Sequence, residues 1–228
     1  MRQSVELLRV IRFRRFSTVG LLISLVVLFI CAPFVEEFNG GDIVVTGLFS
    51  LVLLAGVLAV ADRKRVFVFA IVLVIPAIVG RWINHFSPDV VSAAVFLTAG
   101  LILIAFVVAN LLRFVLRAPL VNVEVLCASI AAYLMLGLMW AMAYWLVDQI
   151  TPGGAFSFNT KGPRSMKGFT GFYFSFVTLT TVGYGDITPV SRAARWLAAM
   201  EAVTGSLYIA VLIARLVSLY STSKARDS

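Results

Sequence analysis

Charged residues are scarce in this sequence, because Asp, Glu, Lys and Arg together make up only 13% of its 228 residues. Soluble globular domains have about 25% charged and about 45–50% apolar residues. Here 61% of the residues are hydrophobic and the mean hydropathy is +1.01, so too little polar surface exists to cover a water-facing body. The composition excludes a soluble domain, a disordered chain and a disulfide scaffold, and it indicates that the surplus apolar surface faces lipid.

Cysteine and histidine are also rare, with two cysteines and one histidine in the chain. Cys31 and Cys127 both fall within apolar runs, where we interpret them as small buried hydrophobic residues and not as a disulfide. His85 lies near the end of an apolar run and is expected at the membrane interface, not in a metal site. Zinc-protease, P-loop and CxxC motifs are absent from the sequence, so none of these motifs indicates a cofactor.

The apolar residues form six runs that are long enough to cross a membrane, since a transmembrane helix needs about 20 apolar residues. The runs cover roughly residues 16–34, 43–61, 66–83, 90–116, 121–150 and 193–220. The third run is interrupted by Pro76 and Gly80, and a seventh run, 169–179, is too short to cross. The first run has the basic start of a signal peptide, but Ile30 stands before Cys31 and no A-x-A site follows. It is therefore expected to be an uncleaved span.

Basic and acidic residues alternate between the connections of these runs. The basic segments contain Arg2, Arg9, Arg12, Arg14 and Arg15, then Arg63, Lys64 and Arg65, then Arg113 and Arg117, and finally Lys224 and Arg226; the first connection is acidic, with Glu36, Glu37 and Asp42, and the third has Arg81 with Asp89. The positive-inside rule therefore predicts that both termini are cytoplasmic. Parity places the long fifth connection outside, although it contains Lys161, Arg164 and Lys167. The net charge of +8 then reflects topology and no nucleic-acid partner, and the basic amino terminus is expected to contact anionic lipid headgroups.

The most informative segment is FTGFYFSFVTLTTVGYGDITP, residues 169–189. An apolar half-helix ends in hydroxyls and is followed by two glycines in three positions, Gly183 and Gly185. Irregular backbone at membrane depth is tolerated only where it is buried in protein or lines a water-filled path. Glycine also adopts positive φ, which lets successive carbonyls point the same way and replace the water shell of a cation. The segment therefore predicts a re-entrant loop beside a pore.

Residues 181–185, Thr-Val-Gly-Tyr-Gly, match the selectivity filter of potassium channels. With Thr180, Asp186 and the stretches 201–205 and 213–217, the chain from about 120 to 220 resembles the voltage-gated-like ion channel superfamily, prokaryotic type. The resemblance implies an all-α membrane protein with six transmembrane helices, a re-entrant pore helix over 169–180, a filter loop and a tetrameric pore. It implies a homotetrameric, passive K⁺-selective channel of a bacterial inner membrane and no enzyme.

The resemblance also assigns roles within the filter. The implied K⁺ ligands are the carbonyls of Thr181, Val182, Gly183 and Tyr184, with the Thr181 hydroxyl, and Gly185 completes the motif; no other cofactor is expected. The Tyr184 ring is expected to pack against Tyr173 and Phe174. Asp186 is placed at the outer mouth, where the Tyr173 hydroxyl can donate to it. Val177 stands where some bacterial relatives have an acid, which puts their filter inactivation in doubt for this chain.

Four further residues of the last two long runs are candidates. Gly205 is either a gating hinge or a site of close helix packing. Glu201 lies one turn earlier, and an acid inside a membrane span is a functional candidate; the alternative is a neutral or hydroxyl-paired carboxyl behind the pore helix. Arg215 is expected near the inner surface, paired with Glu124.

The fourth run argues against a steep voltage sensor, which moves about 3–4 gating charges per subunit. It carries no charge before Arg113 and Arg117 at its cytoplasmic end. The predicted domains are a basic cytoplasmic amino terminus (1–15), a voltage-sensor-like four-helix domain without the charge repeat (16–118), a pore domain (119–220) and a short cytoplasmic tail (221–228). Such a tail has no room for a regulatory domain, so gating is expected from the membrane domains, the lipid, the filter or a separate regulatory partner.

Three alternatives stay open at this point. Two are a voltage-gated K⁺ channel with a weak sensor and a non-selective cation channel. The third is an intramembrane aspartyl protease, because residues 183–186 match GxGD. That chemistry needs a second carboxyl nearby, and the candidates, Asp62 and Asp148, lie at the ends of runs.

Overall fold

The computed structural model of this protein describes residues 2–36, 38, 40–60, 64–87, 92–119, 122–159 and 164–224; for 2–17, 64–65, 216 and 218–224 it describes the backbone alone. The helices are α1 (Arg2–Val35), α2 (Gly41–Ala59), α3 (Lys64–Phe86), α4 (Ala93–Arg117), α5 (Val123–Ile150), α6 (Phe169–Leu179) and α7 (Arg192–Lys224), and the strands are β1 (Phe156–Phe158) and β2 (Ile187–Pro189). The expectations for Glu37, Asp62, Arg63, Asp89, Lys161 and Arg226, and for the side chains of the five amino-terminal arginines, Lys64, Arg65 and Lys224, lie outside this description.

Six of the described helices, all except α6, are long and apolar enough to cross a membrane. The prediction of six long apolar helices is confirmed. Large apolar side chains lie on their outer surfaces, such as Val72 (61% exposed) and Ile102 (47% exposed). Water would not favour this surface, whereas lipid tails cover it at no cost. α6 has only 11 residues, about half the length of a span.

Two helices are more continuous than the sequence indicates. α3 runs through Pro76 without a break, although a proline removes one helical hydrogen bond. Gly80 lies in the same helix. A larger residue would not fit there, because a Cβ at this position would lie 2.8 Å from Cβ of Phe96 on α4. The expected interruption of the third run is therefore wrong, and Gly80 serves close packing. α1 begins at Arg2, so residues 2–15 of the predicted amino-terminal segment belong to the same helix as the first apolar span.

α5 occupies the centre of the fold. It packs against α1, α4, α6 and α7, while α1 packs on α2, α2 on α3 and α3 on α4. Met135, Leu138 and Tyr144 of α5 are fully buried. The helix begins at an N-cap, because the Asn122 side chain accepts a hydrogen bond of 2.9 Å from the Val125 backbone nitrogen. The four-helix part and the part after residue 122 therefore share one core along α5.

The connection between α5 and α6 contains a strand that the sequence did not predict. β1 pairs with β2 in antiparallel register, with Phe156 opposite Pro189 and Phe158 opposite Ile187. Strands of three residues are too short for an alternating apolar pattern to stand out. The pair ties the polar stretch before α6 to the segment that precedes α7.

Candidate functional site

α6 is held between α5 and α7 by close contacts at small residues. The ring of Phe176 lies against Gly137 of α5, where a Cβ would collide with it. Ser175 and Phe174 of α6 are both buried. The helix starts after Gly168, whose φ is 63°, a conformation that favours glycine. α6 therefore ends inside the fold, and the chain must leave it in a non-helical segment.

That segment, residues 181–185, is called the TVGYG segment below. Its φ angles are positive at every second residue, at Thr181 (60°), Gly183 (56°) and Gly185 (79°). Thr181 is the only residue other than glycine with positive φ in the described chain, and such a residue is uncommon in proteins. Alternation between left-handed and right-handed backbone turns successive N–H groups toward one side.

The hydrogen bonds of the TVGYG segment fix the direction of its first two carbonyls. The backbone nitrogens of Val182 and Gly183 donate to the Val177 carbonyl at 2.9 and 3.2 Å, and Thr181 donates to the Thr178 carbonyl at 2.9 Å. These bonds satisfy carbonyls at the end of α6 that lack helical partners. In a trans peptide the carbonyl points opposite to the N–H of the same unit. The carbonyls of residues 180, 181 and 182 therefore point away from α6.

The face of the TVGYG segment that lies away from α6 is open in the single chain. Residues 180–185 are all exposed, with Val182 at 53% and Tyr184 at 70%. Carbonyl oxygens in such a row can replace the hydration shell of a cation if they converge on it. One chain supplies one row of oxygens, and the remaining ligands of an ion on the open side must come from elsewhere.

Asp186 anchors the outer end of the TVGYG segment. The Tyr173 hydroxyl donates to its Oδ2 at 2.7 Å, and its carbonyl accepts from the Asn159 nitrogen at 2.8 Å next to β1. The Tyr173 ring also stacks on Tyr184, with centroids 6.4 Å apart. Phe174 forms no ring pair with Tyr184 among the described residues. It lies about 100° further round α6 and packs instead on Tyr144 and Phe156, which corrects the expectation that it supports Tyr184.

Glu201 of α7 is fully buried and lies between three helices. It accepts a hydrogen bond from the hydroxyl of Tyr144 on α5. It also accepts one of 2.5 Å from the hydroxyl of Ser175 on α6, which lies 2.8 Å from the Gly137 carbonyl. Of the two interpretations made from the sequence, the structure has the hydroxyl-paired carboxyl behind α6.

Gly205 and Arg215 lie further along α7. A Cβ at Gly205 would collide with the Leu179 carbonyl at the end of α6, so close packing accounts for this glycine, and its role as a hinge stays a prediction. Arg215 donates from Nη2 to the Ala118 carbonyl at 2.9 Å. The expected ion pair between Arg215 and Glu124 is absent from the described residues, and the guanidinium instead binds the carbonyl of Ala118, the residue that follows α4.

Asp148, a candidate partner in a protease, has a structural role. Its two carboxylate oxygens accept from the backbone nitrogens of Ala155 (3.0 Å) and Met166 (3.4 Å), and so shape the connection before α6. Asp62 lies outside the described residues. In the described chain no group of three or more His, Cys, Asp or Glu side chains could hold a metal ion.

One contact between the four-helix part and α6 was missed from the sequence. Glu36, at the end of α1, accepts the backbone N–H of Phe169 at the start of α6. Next to it, Asp42 lies 3.1 Å from both Lys167 Nζ and His85 Nδ1. The sequence offered one indication of this contact, since the first connection is acidic and the fifth is basic. Opposite charges alone do not show which residues pair.

Comparison with known proteins places residues 123–222 in a match to a family described as ion channel. A two pore potassium channel b from Oryza sativa subsp. japonica is 31% identical over 86 residues, and the voltage-gated potassium channel Kch of Escherichia coli K12 is 61% identical over 33 residues. The similarities support an ion channel. The matched family and relatives are ion channels, which are not enzymes, so the protease alternative loses its support. The ion-channel family match and the six long apolar helices together support a transmembrane protein of ion transport.

The coverage of these matches is partial. They span 38% and 14% of this chain, but only 21% of the rice protein and 8% of the Escherichia coli protein. Protein LctB of Bacillus caldotenax is 47% identical over 45 residues, or 20% of this chain and 33% of that protein. The chain thus covers well under two thirds of each relative. No solved structure matches this chain.

Proposed function

We propose that four copies of this chain surround one axis and form a pore that conducts K⁺ passively and selectively across a membrane. The observation that carries the proposal is the direction of the Thr181 and Val182 carbonyls, the first two of the TVGYG segment. The N–H groups of residues 181–183 are bonded to α6, so the carbonyls of the same peptide units face the open side. A symmetric assembly would bring equivalent rows together as rings of oxygens, which is how K⁺ is dehydrated and bound in potassium channels.

The proposed K⁺ ligands are the carbonyl oxygens of Thr181, Val182, Gly183 and Tyr184, with the Thr181 hydroxyl, and Gly185 allows the turn that follows. Thr180, Val177, Tyr173 and Asp186 support this loop from the side of α6. The exposure of residues 180–185 in a single chain supports an assembly, because an oxygen-lined face needs partners to enclose an ion. The basic flanks of the spans support cytoplasmic termini in a bacterial inner membrane, with anionic headgroups near the amino terminus.

We also propose that conduction is not steeply gated by voltage. Within α4 the charged residues are Arg113 and Arg117, in the last two turns. Arginines at a helix end reach the interface, where they cross little of the membrane field. Gating then depends on the membrane helices, the lipid, the TVGYG segment or a separate partner.

The decisive experiment is reconstitution of the purified chain in planar bilayers with asymmetric K⁺ and Na⁺. A reversal potential that follows the K⁺ gradient is expected, and one that ignores it would indicate a non-selective cation channel. Steep activation by voltage steps would contradict the interpretation of α4. Gly183→Ala should abolish K⁺ current. Gly153→Ala is the matched control, because both glycines have positive φ (56° and 81°) and open space at the Cβ position, yet Gly153 lies outside the TVGYG segment.

A further inference from the structure

A cavity of about 400 Å³ opens at the end of α4. Its walls include Thr18 of α1, Val60 after α2, Val66 of α3, and Asn110, Arg113 and Arg117 of α4. We call it the α4 pocket. It lies at the start of α5, whereas β1 follows the other end of that helix. The α4 pocket is therefore far from the TVGYG segment and is not part of the proposed conduction path.

The polar groups of the α4 pocket suit an anion. Arg113 and Arg117 are four residues apart, so both lie on one face of α4. Neither has a salt bridge or hydrogen bond to any residue that the structure describes. Asn110 uses one side-chain N–H to bond the Phe106 carbonyl at 2.8 Å, which leaves its second N–H as a donor. Two neighbouring guanidiniums with no acid bound to them among the described residues repel each other, and a bound anion removes that repulsion.

The position of the α4 pocket relative to the apolar spans indicates which kind of anion would bind there. The apolar spans of α1, α2, α3 and α4 end at Thr18, Ala59, Val66 and Arg117, and all of these residues line the cavity. It therefore lies at the boundary between lipid tails and water, where the phosphates of phospholipids are found. Its wall is also partly apolar, with Leu111 and Phe114 beside the arginines, as suits a lipid more than a soluble phosphate.

The α4 pocket also includes a residue of the α4–α5 connection that is hydrogen-bonded to α7. Ala118 lines the cavity, and its carbonyl accepts the hydrogen bond of 2.9 Å from Arg215. An occupant that holds Ala118 in place holds the acceptor of Arg215 as well.

We propose that the α4 pocket binds the headgroup of an anionic phospholipid, with Arg113 and Arg117 as the ligands of its phosphate, and that occupancy stabilises the contact between the α4–α5 connection and α7. The assignment to the cytoplasmic leaflet rests on the orientation given under the proposed function. The binding site itself rests on the geometry of the cavity alone.

Native mass spectrometry of the purified full-length protein tests this, because it counts retained lipids and does not require conduction or a known orientation. Phosphatidylglycerol is titrated against phosphatidylcholine, and Arg113→Gln/Arg117→Gln is compared with Arg164→Gln/Arg192→Gln. The control pair removes the same charge from two exposed arginines outside the pocket. The pocket variant should bind phosphatidylglycerol about thirtyfold more weakly, since each of the two basic groups near an anionic lipid surface contributes roughly 1 kcal/mol. The control should bind as the parent does.

Three results would overturn the proposal. Unchanged phosphatidylglycerol binding by the pocket variant would show that the two arginines are not ligands of the phosphate. An equal loss of binding in the control pair would show that the lipid is attracted by general positive charge and not by the pocket. Displacement of phosphatidylglycerol by glycerol 3-phosphate or inorganic phosphate identifies a site for soluble anions and overturns the lipid assignment. Both arginines are exposed, so their substitution should leave folding intact. The thermal midpoint should rise with phosphatidylglycerol in the parent and in the control pair, and less in the pocket variant. A channel that proves non-selective leaves these binding results unaffected.

Discussion

Both carboxylate oxygens of Glu36 lie 3.0 Å from the backbone nitrogen of Phe169. α1 thus ends with a side chain that caps the first N–H of α6, where a helix dipole favours negative charge. The contact is reinforced inside the membrane region, because the Phe29 ring meets Phe172 and Phe176 edge-on at 5.6 and 4.7 Å. The first helix therefore holds the short helix from which the TVGYG segment starts, and any movement of α1 reaches α6 directly.

The Glu36 carboxylate should make stability depend on pH. Burial raises its pKa above 4.5, although the bond from Phe169 opposes this shift. Between the two pKa values the folded chain binds more protons than the unfolded chain, so this group lowers the free energy of unfolding as the pH rises. Glu36→Gln should accordingly gain thermal stability relative to the parent as the pH rises above 4.5. Melting curves of both proteins across this interval measure the difference, and a constant difference would contradict the argument.

A second substitution at this position separates charge from hydrogen bonding. Gln keeps an acceptor for the Phe169 N–H, whereas Glu36→Ala removes it. Loss of a helix cap costs about 1 kcal/mol, so Glu36→Ala should melt below Glu36→Gln at every pH.

The sequence predicted the parts of this fold that depend on composition and period. The six long helices follow from apolar length, and the short α6 follows from an apolar run too short to cross. The turn after α6 follows from Gly183 and Gly185, because no other residue takes positive φ at so little cost. These features are local, so they can be read without knowing the tertiary structure.

The contacts between distant segments could not be predicted in this way. The bond from Phe169 to Glu36 joins residues 133 apart in the chain, and the partner of Arg215 is a backbone carbonyl that carries no sequence signature. Thr181 adopts positive φ without being a glycine, since the bonds from residues 181–183 to the end of α6 impose that conformation. The pair β1–β2 likewise depends on where α5 and α7 bring their ends.

Tyr173→Phe should weaken the outer support of the TVGYG segment. The substitution removes the bond of 2.7 Å to Asp186 and keeps the ring that stacks on Tyr184. A bond to a charged acceptor contributes about 1.5–3 kcal/mol, and partial exposure reduces this to about 1 kcal/mol. Single-channel recordings should show shorter open times with unchanged K⁺ over Na⁺ preference. Tyr133→Phe is the matched control, since the Tyr133 hydroxyl is buried with no hydrogen-bond partner in the described chain, and it should behave as the parent.

Glu201 should be more costly to replace alone than together with its partners. Glu201→Leu leaves the Tyr144 hydroxyl buried without its acceptor, at about 1–3 kcal/mol for an unsatisfied group, whereas the Ser175 hydroxyl can still donate to the Gly137 carbonyl at 2.8 Å. Glu201→Gln keeps an acceptor oxygen and should lose less. Removing all three polar groups, as Tyr144→Phe/Ser175→Ala/Glu201→Leu, should recover part of the stability, because no unpaired hydroxyl remains. Thermal unfolding of the detergent-solubilised protein measures the series, and a triple variant less stable than Glu201→Leu would count against the pairing.

Gly205→Ala should separate α7 from the end of α6. The added Cβ collides with the Leu179 carbonyl and lies 3.0 Å from Leu179 Cδ1. A backbone carbonyl cannot move aside as a flexible side chain can, so α6 or α7 must shift, at about 1–3 kcal/mol for overpacking. Since Leu179 directly precedes residues 180–185, the shift should also reduce K⁺ current.

Gly47→Ala in α2 is the control, because its Cβ meets no atom within 4 Å and alanine favours a helix by about 1 kcal/mol over glycine. The thermal midpoint should therefore fall for Gly205→Ala, whereas it should stay the same or rise for Gly47→Ala. If Gly205→Ala melts at the same temperature as the parent but gates differently, the result would contradict the close-packing interpretation and favour a role of Gly205 as a hinge.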